Sequence, residues 1–309
     1  MLKIQVIFLL SFVLLLPFGG ASQETTIFKV SDFDLSGKVK SCLVSTDYGK
    51  EEYRFNEDGL LTEAITRYSD ADYDVTLYKY RKGELLEKRV EQYRDKRLER
   101  ATSIANIFTM DTTAGNRKVT EKIITYNKEL LEQNEYFYTD KKHLSKIIQT
   151  TNDGIDETSI IYHEDENTRT AEYFLNGELQ QSIRTKTTMQ SDTVPIKTIS
   201  TKNFFDGKPS SAIEKTYIGD GKISSESTLS YDLNLEKFVN LSTVTHTYGP
   251  LGVVEKTILK EGANSETKEY LYQFDPFGNW VKQIVTPTNT YKTRKIEYFE
   301  TQKILKEEE

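Results

Sequence analysis

The residue types that most often carry out chemistry are few in this chain and lie far apart. Its single cysteine, Cys42, can form neither an internal disulfide nor a thiolate zinc site. The three histidines, His143, His163 and His246, lack a second histidine at ligand spacing. The sequence contains no Gly-x-Ser-x-Gly turn and no glycine-rich phosphate loop. These patterns predict no catalytic residue, no cofactor site and no metal site.

The acidic residues are too numerous to nominate a catalytic pair. With 48 Asp and Glu in 309 residues, two carboxylates at glycosidase spacing arise easily by chance. Residues 70–74 and 32–37 resemble the start of a calcium loop, but the twelfth position of each holds Arg81 or Leu43 instead of the bidentate Glu. We therefore expect no calcium site. A hydrolase that uses a carboxylate pair stays open as an alternative function.

The aromatic residues are the more informative set, with 19 Tyr, 15 Phe and a single Trp. An exposed Trp280 on a sheet could stack on a sugar ring, or the side chain could close the end of an aromatic ladder, as terminal repeats require. The candidate contacts to a ligand or partner are Trp280, Phe277, Tyr272 and Phe274.

These rings belong to a short repeated unit. In residues 53–63, two aromatic residues alternate with a polar one, and a turn follows with Asn or Asp first and Gly fourth. Residues 246–256 and 272–282 repeat this pattern in whole or in part. Alternation places both rings on one face of a strand, and the turn glycine can take a positive φ. The predicted turn glycines are Gly59, Gly83, Gly177, Gly207, Gly221, Gly252 and Gly278.

The spacing of the units predicts the fold class. Steps of about 12 and about 25 residues, as between Phe55 and Tyr80, are typical of strand-and-turn units stacked as hairpins. Residues 84–100 are rich in helix-forming types, yet they lie within the repeat and are predicted as a strand. We expect an all-β protein with few or no helices, in which antiparallel hairpin repeats form an extended, twisted or spiralling sheet.

Charge and the amino terminus indicate a compartment. A net charge of −7 and a pI near 5.3 argue against a nucleic-acid binder. Residues 1–21 have a basic start, an apolar core and small residues before a cleavage position near Ala21, which predicts a signal peptide. No cysteine follows it, so we expect no lipoprotein, and no later apolar run is long enough to span a membrane. The mature chain is expected to be exported, as a periplasmic, cell-surface or secreted protein.

The repeat resembles a known family. The units ending in residues 274–280, the lead-in at 34–41 and the closing residues 294–298 resemble the YD repeats of Rhs-like proteins, and more closely exported YD-repeat proteins of Bacteroidetes-type bacteria. The resemblance extends over about residues 30–300. It implies a β-rich, sheet-winding architecture, which in larger relatives forms a shell around other protein, and it implies no established reaction.

The predicted organisation is a signal peptide (1–21), a lead-in segment (22–46), a YD-like β-repeat domain (47–300) and a charged tail (301–309). The predicted function is that of a non-enzymatic, monomeric scaffold without cofactors, which binds a protein or glycan of the cell envelope through a sheet face. Two alternatives stay open: a carbohydrate- or peptidoglycan-processing enzyme with a carboxylate pair, and a lipid-binding periplasmic half-barrel.

Overall fold

The described part of the chain is almost entirely antiparallel β-sheet. The computed structural model describes residues 26–112, 117–191, 194–219 and 221–300, so the predicted signal peptide and charged tail lie outside the described residues. A single 3-10 turn, Val30–Phe33, precedes the first strand. The expectation of an all-β chain is confirmed, and the helix-prone segment from residue 84 is a strand.

Most strands are 7–14 residues long and are joined by short turns. Their bounds are β1 Val39–Thr46, β2 Gly49–Phe55, β3 Leu61–Arg67, β4 Tyr73–Arg81, β5 Glu84–Arg94, β6 Arg97–Leu98, β7 Ile104–Asp111, β8 Lys118–Thr125, β9 Leu130–Tyr138, β10 Leu144–Thr151, β11 Gly154–Asp165, β12 Thr168–Leu175, β13 Glu178–Ser191, β14 Val194–Phe205, β15 Lys208–Ile218, β16 Lys222–Asp232, β17 Lys237–Tyr248, β18 Val254–Glu261, β19 Asn264–Phe274, β20 Trp280–Thr286 and β21 Thr290–Tyr298.

The sheet closes on itself. Successive strands pair antiparallel around the whole chain, and the last strand, β21, pairs with the first, β1, with Cys42 opposite Ile296 and Val44 opposite Arg294. The two-residue β6 and the following β7 both pair with β5, so they share one position in the ring. The 21 strands therefore fill twenty positions of a closed barrel.

Closure overturns the expected extended, twisted or spiralling sheet, which is wrong. The repeat predicted hairpins, and hairpins are present, but a local pattern does not determine how strongly the whole sheet curls. Twist and stagger add from strand to strand, and they bring β21 back to β1. Closure also removes the two unpaired edges that an open sheet would expose. The strand β1 belongs to the ring although it lies within the predicted lead-in segment.

The two faces of the barrel wall have different chemistry. Cross-strand partners share a face, so one face carries Tyr53, Phe55, Tyr78 and Tyr136. The opposite face carries ion pairs, such as Arg54 Nη1 to Glu63 Oε2 at 2.6 Å. We call them the aromatic face and the charged face.

The aromatic face is the inner wall. Its cluster of packed side chains includes Val119 and Leu144, each only 1% exposed. The cluster draws on side chains from many strands of the ring, and the lead-in residues also pack against it. Side chains converge on the concave side of a closed wall, which accounts for a cluster of this extent. The charged face is therefore the outer wall.

The lead-in residues 26–38 pack against the inner wall. The ring centroid of Phe33 lies 4.5 Å from that of Tyr53, and Phe28 lies 6.0 Å from Tyr78. The backbone also contributes, because Leu61 N–H donates to the Phe28 carbonyl at 2.9 Å. We call the end of the barrel where these residues enter the lead-in end, and the opposite end the far end.

The sequence repeat encodes a five-residue turn with a defined hydrogen-bond pattern. In the turn that starts at Asn56, Asn56 N–H donates to the Leu60 carbonyl at 2.9 Å, and Gly59 N–H donates back to Asn56 at 2.9 Å. The Asn56 side chain accepts from Leu60 N–H at 2.9 Å. The same backbone pattern recurs in turns that start at residues 125, 139, 249 and 275.

All seven predicted turn glycines have a positive φ, from 68° at Gly207 to 93° at Gly221. At Gly59 the αL conformation is required by the turn's own hydrogen bonds. In two equivalent turns, Lys128 and Lys142 occupy the glycine position, with φ of 68° and 61°.

Candidate functional site

Polar side chains form a row across the inner wall in mid-strand. At its centre, the Glu121 carboxylate accepts hydrogen bonds from Asn106 Nδ2 at 2.7 Å, from Tyr136 Oη at 2.8 Å and from Asn134 Nδ2 at 3.3 Å. Lys88 lies directly opposite Asn106 on the neighbouring strand. One carboxylate thus holds three side chains from two neighbouring strands.

A second carboxylate extends the row. Glu132 accepts from Asn134 Nδ2 at 2.7 Å and from Gln149 Nε2 at 2.8 Å. Further round the wall, Gln181 Nε2 donates to Asn203, and Asn203 Nδ2 donates to Ser211 Oγ at 3.1 Å. We call the group around Glu121 and Glu132 the amide–carboxylate row. It consists of Lys88, Asn106, Glu121, Glu132, Asn134 and Gln149.

Strand alternation places these residues on one wall. In β8, Val119, Glu121 and Ile123 face inward, and the residues between them face outward. The pairing register then puts Glu121 opposite Asn134, and Asn134 opposite Gln149. Sequence reasoning missed the row because its members are far apart along the chain. The available signal was an amide or carboxylate at an inward position of several neighbouring strands.

Burial shapes the electrostatics of the row. Burial, helped by the adjacent Glu121 carboxylate, raises the pKa of Tyr136 far above its usual range, so its hydroxyl stays a donor at neutral pH. Burial lowers the pKa of Lys88, while the Glu121 carboxylate opposes that shift. Asn134 is only 8% exposed. The row is therefore a set of oriented polar groups whose positions are held by one another.

The four predicted contact residues lie together at the lead-in end, but they differ in exposure. Tyr272 is 5.9 Å from Phe274 and 6.1 Å from Trp280 between ring centroids. Trp280 is 7% exposed, and Tyr272 Oη donates to the Val254 carbonyl at 2.7 Å. Phe277 is 60% exposed at the tip of the turn and stacks on Tyr298 at 4.2 Å. Of the four, Phe277 has the ring most open to a partner.

Trp280 contributes to a clasp between the two ends of the described chain. The guanidinium of Arg294 lies 3.6 Å from the Trp280 ring centroid and donates to the carbonyls of Phe33 at 3.0 Å and Asp34 at 3.2 Å. Burial lowers the pKa of Arg294. Arg294 therefore ties β21 and the Trp280 ring to the lead-in residues.

Asn279 forms the second half of this clasp. It is 2% exposed, its Oδ1 accepts from Ser36 N–H at 2.7 Å, and its Nδ2 donates to the Ser36 carbonyl at 2.9 Å. Its Nδ2 also donates to Tyr298 Oη at 2.7 Å, and Tyr298 in turn donates to Asp275. The Gly278-Asn279-Trp280 segment thus packs the lead-in onto the last strands.

Two shallow grooves are open to solvent. One, of about 600 Å³, lies mainly on the outer wall across the β1–β21 junction and is lined by residues such as Leu43, Glu52 and Lys295. The other, of about 500 Å³, contains His143, whose ring is 5.1 Å from Tyr162. Neither groove brings an activated nucleophile and a base together.

The acidic residues of the two segments noted in the sequence form hydrogen bonds and ion pairs with nearby parts of the fold. Asp32 accepts from the Lys29 backbone N–H at 2.7 Å, and Asp74 pairs with Arg94 Nη1 at 2.9 Å. Within the described ranges, no group of three or more His, Cys, Asp or Glu residues is arranged to hold a metal ion. In the same part of the chain, no helix has the length and apolar character needed to cross a membrane.

No family model matches the chain, and no curated protein is significantly similar to it. Among solved structures, a porin-like protein from Bacteroides vulgatus aligns at 10% identity over 85% of this chain and 99% of its own, with a TM-score of 0.25. The TcdB2–TccC3 complex aligns at 14% identity over 80% of this chain and 16% of its own, with a TM-score of 0.19. A Photorhabdus luminescens Tc holotoxin pore aligns at 12% identity over 77% of this chain and 15% of its own, with a TM-score of 0.16. Likenesses this low carry no argument, and the resemblance to YD-repeat proteins stays a prediction.

Proposed function

We propose that this chain is an exported, non-enzymatic binding protein of the bacterial envelope that binds a glycan on its inner wall. The observation that carries the proposal is the amide–carboxylate row, in which Asn134 bridges Glu121 and Glu132. The row sets oriented donors and acceptors beside the inward-facing ring of Tyr136.

The chemistry of the row suits a sugar. Neighbouring hydroxyls of a sugar ring each donate and accept, and an amide offers both functions while a carboxylate accepts. A few placed polar groups among aromatic rings are typical of small-molecule sites. A ring of twenty strands is also wide enough for an aqueous lumen, which an oligosaccharide could enter.

The outer wall supports contact with water on the outside of the barrel. A membrane-spanning barrel presents an apolar band about 25 Å tall to the lipid. Here the outer wall carries ion pairs along its strands, such as Arg89 to Glu87 at 2.7 Å within β5 and Lys256 to Glu269 at 3.3 Å. We therefore propose a periplasmic, cell-surface or secreted location for the barrel, without a bilayer around its wall.

The experiment is a titration of the mature protein with soluble glycan fragments released from bacterial cell walls, followed by calorimetry. We expect wild type to bind at least one fraction. The variant Asn134→Ala is expected to lose at least tenfold in affinity, because both carboxylates lose their shared donor. The matched control is Gln133→Ala, the neighbouring outward-facing residue of the same strand.

Thermal unfolding must show that both variants are folded. Absence of binding to every glycan fraction by wild type contradicts the proposal. Equal losses for the inward and outward variants also contradict it. If the mature protein binds no glycan and instead captures an envelope protein, its ligand would be that protein.

One observation favours the enzyme alternative enough to test it. Oxygens of Glu121 and Glu132 lie 3.3 and 2.7 Å from Asn134 Nδ2, so these two oxygens are at most about 6 Å apart, a range that includes the roughly 5–5.5 Å pair of a retaining glycosidase. Mass spectrometry of the same glycan fractions after long incubation separates the two functions. Under the binding proposal, wild type releases no products, and Glu121→Gln behaves like wild type in this assay.

The lipid-carrying half-barrel is the weaker alternative. The sheet is a closed ring, and polar groups interrupt its inner wall, including the Lys215 to Glu226 ion pair at 3.0 Å. An acyl chain along this wall would lie against charges and amides, which costs free energy because they lose hydration.

A further inference from the structure

Large apolar side chains are exposed mainly at one end of the barrel. Because successive strands alternate in direction, the turns that follow β1, β3, β5, β8 and every later even-numbered strand lie at the far end. Of the eighteen large hydrophobic residues that are exposed in the described ranges, twelve lie in or beside these turns. We call them the apolar rim: Tyr48, Tyr68, Tyr126, Leu130, Leu131, Ile155, Leu175, Phe205, Leu233, Leu235, Val239 and Tyr291.

The lead-in end contrasts with this rim. Only Met189, Leu251 and Phe277 are exposed large hydrophobic residues near the described turns there. The last of these stacks on Tyr298 and so covers part of its ring. The exposed apolar residues are therefore concentrated at the far end and are not scattered evenly over the surface.

The rim side chains are distributed around the barrel. Eight of the ten far-end hairpins contribute at least one, and most contribute a single ring or aliphatic chain between polar neighbours. Tyr48 is 86% exposed in the β1–β2 turn, and Phe205 is 72% exposed beside the β14–β15 turn. The rim is a circle of separate anchors and encloses no apolar pocket.

The β16–β17 hairpin carries the most apolar tip. Leu233 and Leu235 are 73% and 57% exposed. The Asp232 carboxylate accepts from the backbone N–H of Asn234 at 2.8 Å and of Leu235 at 3.0 Å, which holds the turn in one conformation. At its base, Tyr231 and Phe238 pack edge to face with centroids 5.2 Å apart. Two leucines are thus presented to solvent on a braced turn.

We propose that the far end docks onto a lipid bilayer surface, into which the apolar rim inserts. A bilayer accepts apolar side chains at any lateral position, so it can satisfy anchors on eight separate hairpins at once. A protein partner would instead require a contiguous apolar patch. Tyrosine, phenylalanine and leucine are also the types that bury an apolar body at the boundary of headgroups and acyl chains.

The charges near the rim decide what kind of lipid contact this is. Acidic and basic residues alternate at the tips, as with Asp206 and Lys208 or Glu236 and Lys237. The rim therefore has no basic stripe to attract anionic headgroups. Insertion of apolar side chains dominates, so binding is expected to be insensitive to salt and similar for neutral and anionic lipids. The lumen then stands on the membrane, with the lead-in end directed away from it.

The test is co-sedimentation of the mature protein with two kinds of vesicles. One is pure phosphatidylcholine and the other is phosphatidylcholine with about one third phosphatidylglycerol. We expect binding to both, unchanged by 0.5 M salt. The double variant Leu233→Asp and Leu235→Asp is expected to lose at least tenfold in partitioning, because two inserted side chains become charged.

The matched control is the double variant Leu251→Asp and Met189→Asp, which changes two exposed apolar residues at the lead-in end. It is expected to bind vesicles as wild type does. The inference is overturned if wild type binds neither vesicle, if it binds only anionic vesicles at low salt, or if both double variants lose binding equally. A dimer in sedimentation velocity that the Leu233 and Leu235 changes dissociate would assign the rim to a second copy. Glycan titration of the rim variant is expected to match wild type, so each proposal can fail alone.

Discussion

At the scale of single residues, several tyrosine side chains link one strand of the barrel to the strand before it. The hydroxyl of Tyr80 donates to the Leu61 carbonyl at 2.7 Å, and that of Tyr162 donates to the Leu144 carbonyl at 2.8 Å. Tyr248 and Tyr272 make the same contact to Ile223 and Val254. In each case the acceptor lies at the start of the preceding strand, so one ring fills the inner wall and also fixes a strand end.

The buried tyrosines predict loss of stability at alkaline pH. Burial raises the pKa of Tyr78 to about 12, and it raises the pKa of Tyr173 further. A folded-state pKa above the unfolded value of about 10 means that the stabilisation is complete below pH 10 and declines as pH rises above it. We expect the free energy of unfolding to fall steeply between pH 10 and 12, measured by urea titration at fixed pH.

The substitution Tyr78→Phe isolates the contribution of one tyrosine to this pH dependence, because it removes the titrating hydroxyl and keeps the ring. The loss of unfolding free energy between pH 8 and pH 11 is expected to be smaller than in wild type by about 1 kcal/mol. Tyr48→Phe is the control, since this ring is almost fully exposed. The same pH dependence in all three proteins would contradict the assignment.

At the scale of elements, the repeated five-residue turn forms four hairpins of the lead-in end and one of the far end. Its fourth residue takes the αL conformation whether it is Gly59, Gly278 or Lys142. A side chain at the first position caps the turn in several copies, as Asp275 does for Asn279 N–H at 2.9 Å. The capping residue and backbone pattern thus produce the turn even where glycine is absent, at a cost in backbone strain.

That strain makes Lys142→Gly a stabilising substitution. A non-glycine residue in αL costs roughly 1–2 kcal/mol, and glycine removes this cost, although the higher entropy of its unfolded chain offsets part of the gain. We expect the free energy of unfolding to rise by about 0.5–1 kcal/mol, measured by urea denaturation. The control is Lys141→Gly, an exposed neighbour without positive φ, which is expected to be neutral or destabilising. An equal gain in both variants would point to charge removal as the cause.

At the scale of the whole molecule, closure brings the two ends of the described chain together. Ser36 bonds Asn279, and Arg294 bonds the carbonyls of Phe33 and Asp34. The lead-in covers part of the inner wall beside this junction. The barrel therefore has one end that holds the clasp and one end lined by the apolar rim, and the proposed docking of the far end on a membrane rests on this asymmetry.

Closure can be tested by one added thiol. Cys42 on β1 lies directly opposite Ile296 on β21, both on the inner wall. In Ile296→Cys, oxidation is expected to form a disulfide between these positions, because opposed residues of antiparallel strands satisfy its geometry. The readouts are a loss of about 2 Da in mass and faster migration without reductant, and the unfolding free energy is expected to rise by up to about 5 kcal/mol.

The control for closure is Lys295→Cys, which stands opposite Leu43 and faces outward. Its thiol is expected to stay reduced because it lies on the opposite face of the wall from Cys42. In an extended or spiralling sheet the first and last strands would lie apart, and neither variant would form the bridge.

The sequence by itself determined the local structure. Alternating rings such as Tyr53 and Phe55 made strands, and the Asn-x-x-Gly and Asp-x-x-Gly turns made hairpins, because these preferences act within a few residues. Only the tertiary structure decided that the sheet closes, which wall faces inward, that Glu121 meets Asn134, and that the apolar tips share one end. These outcomes depend on twist and stagger summed over all the strands, and no short segment contains that sum.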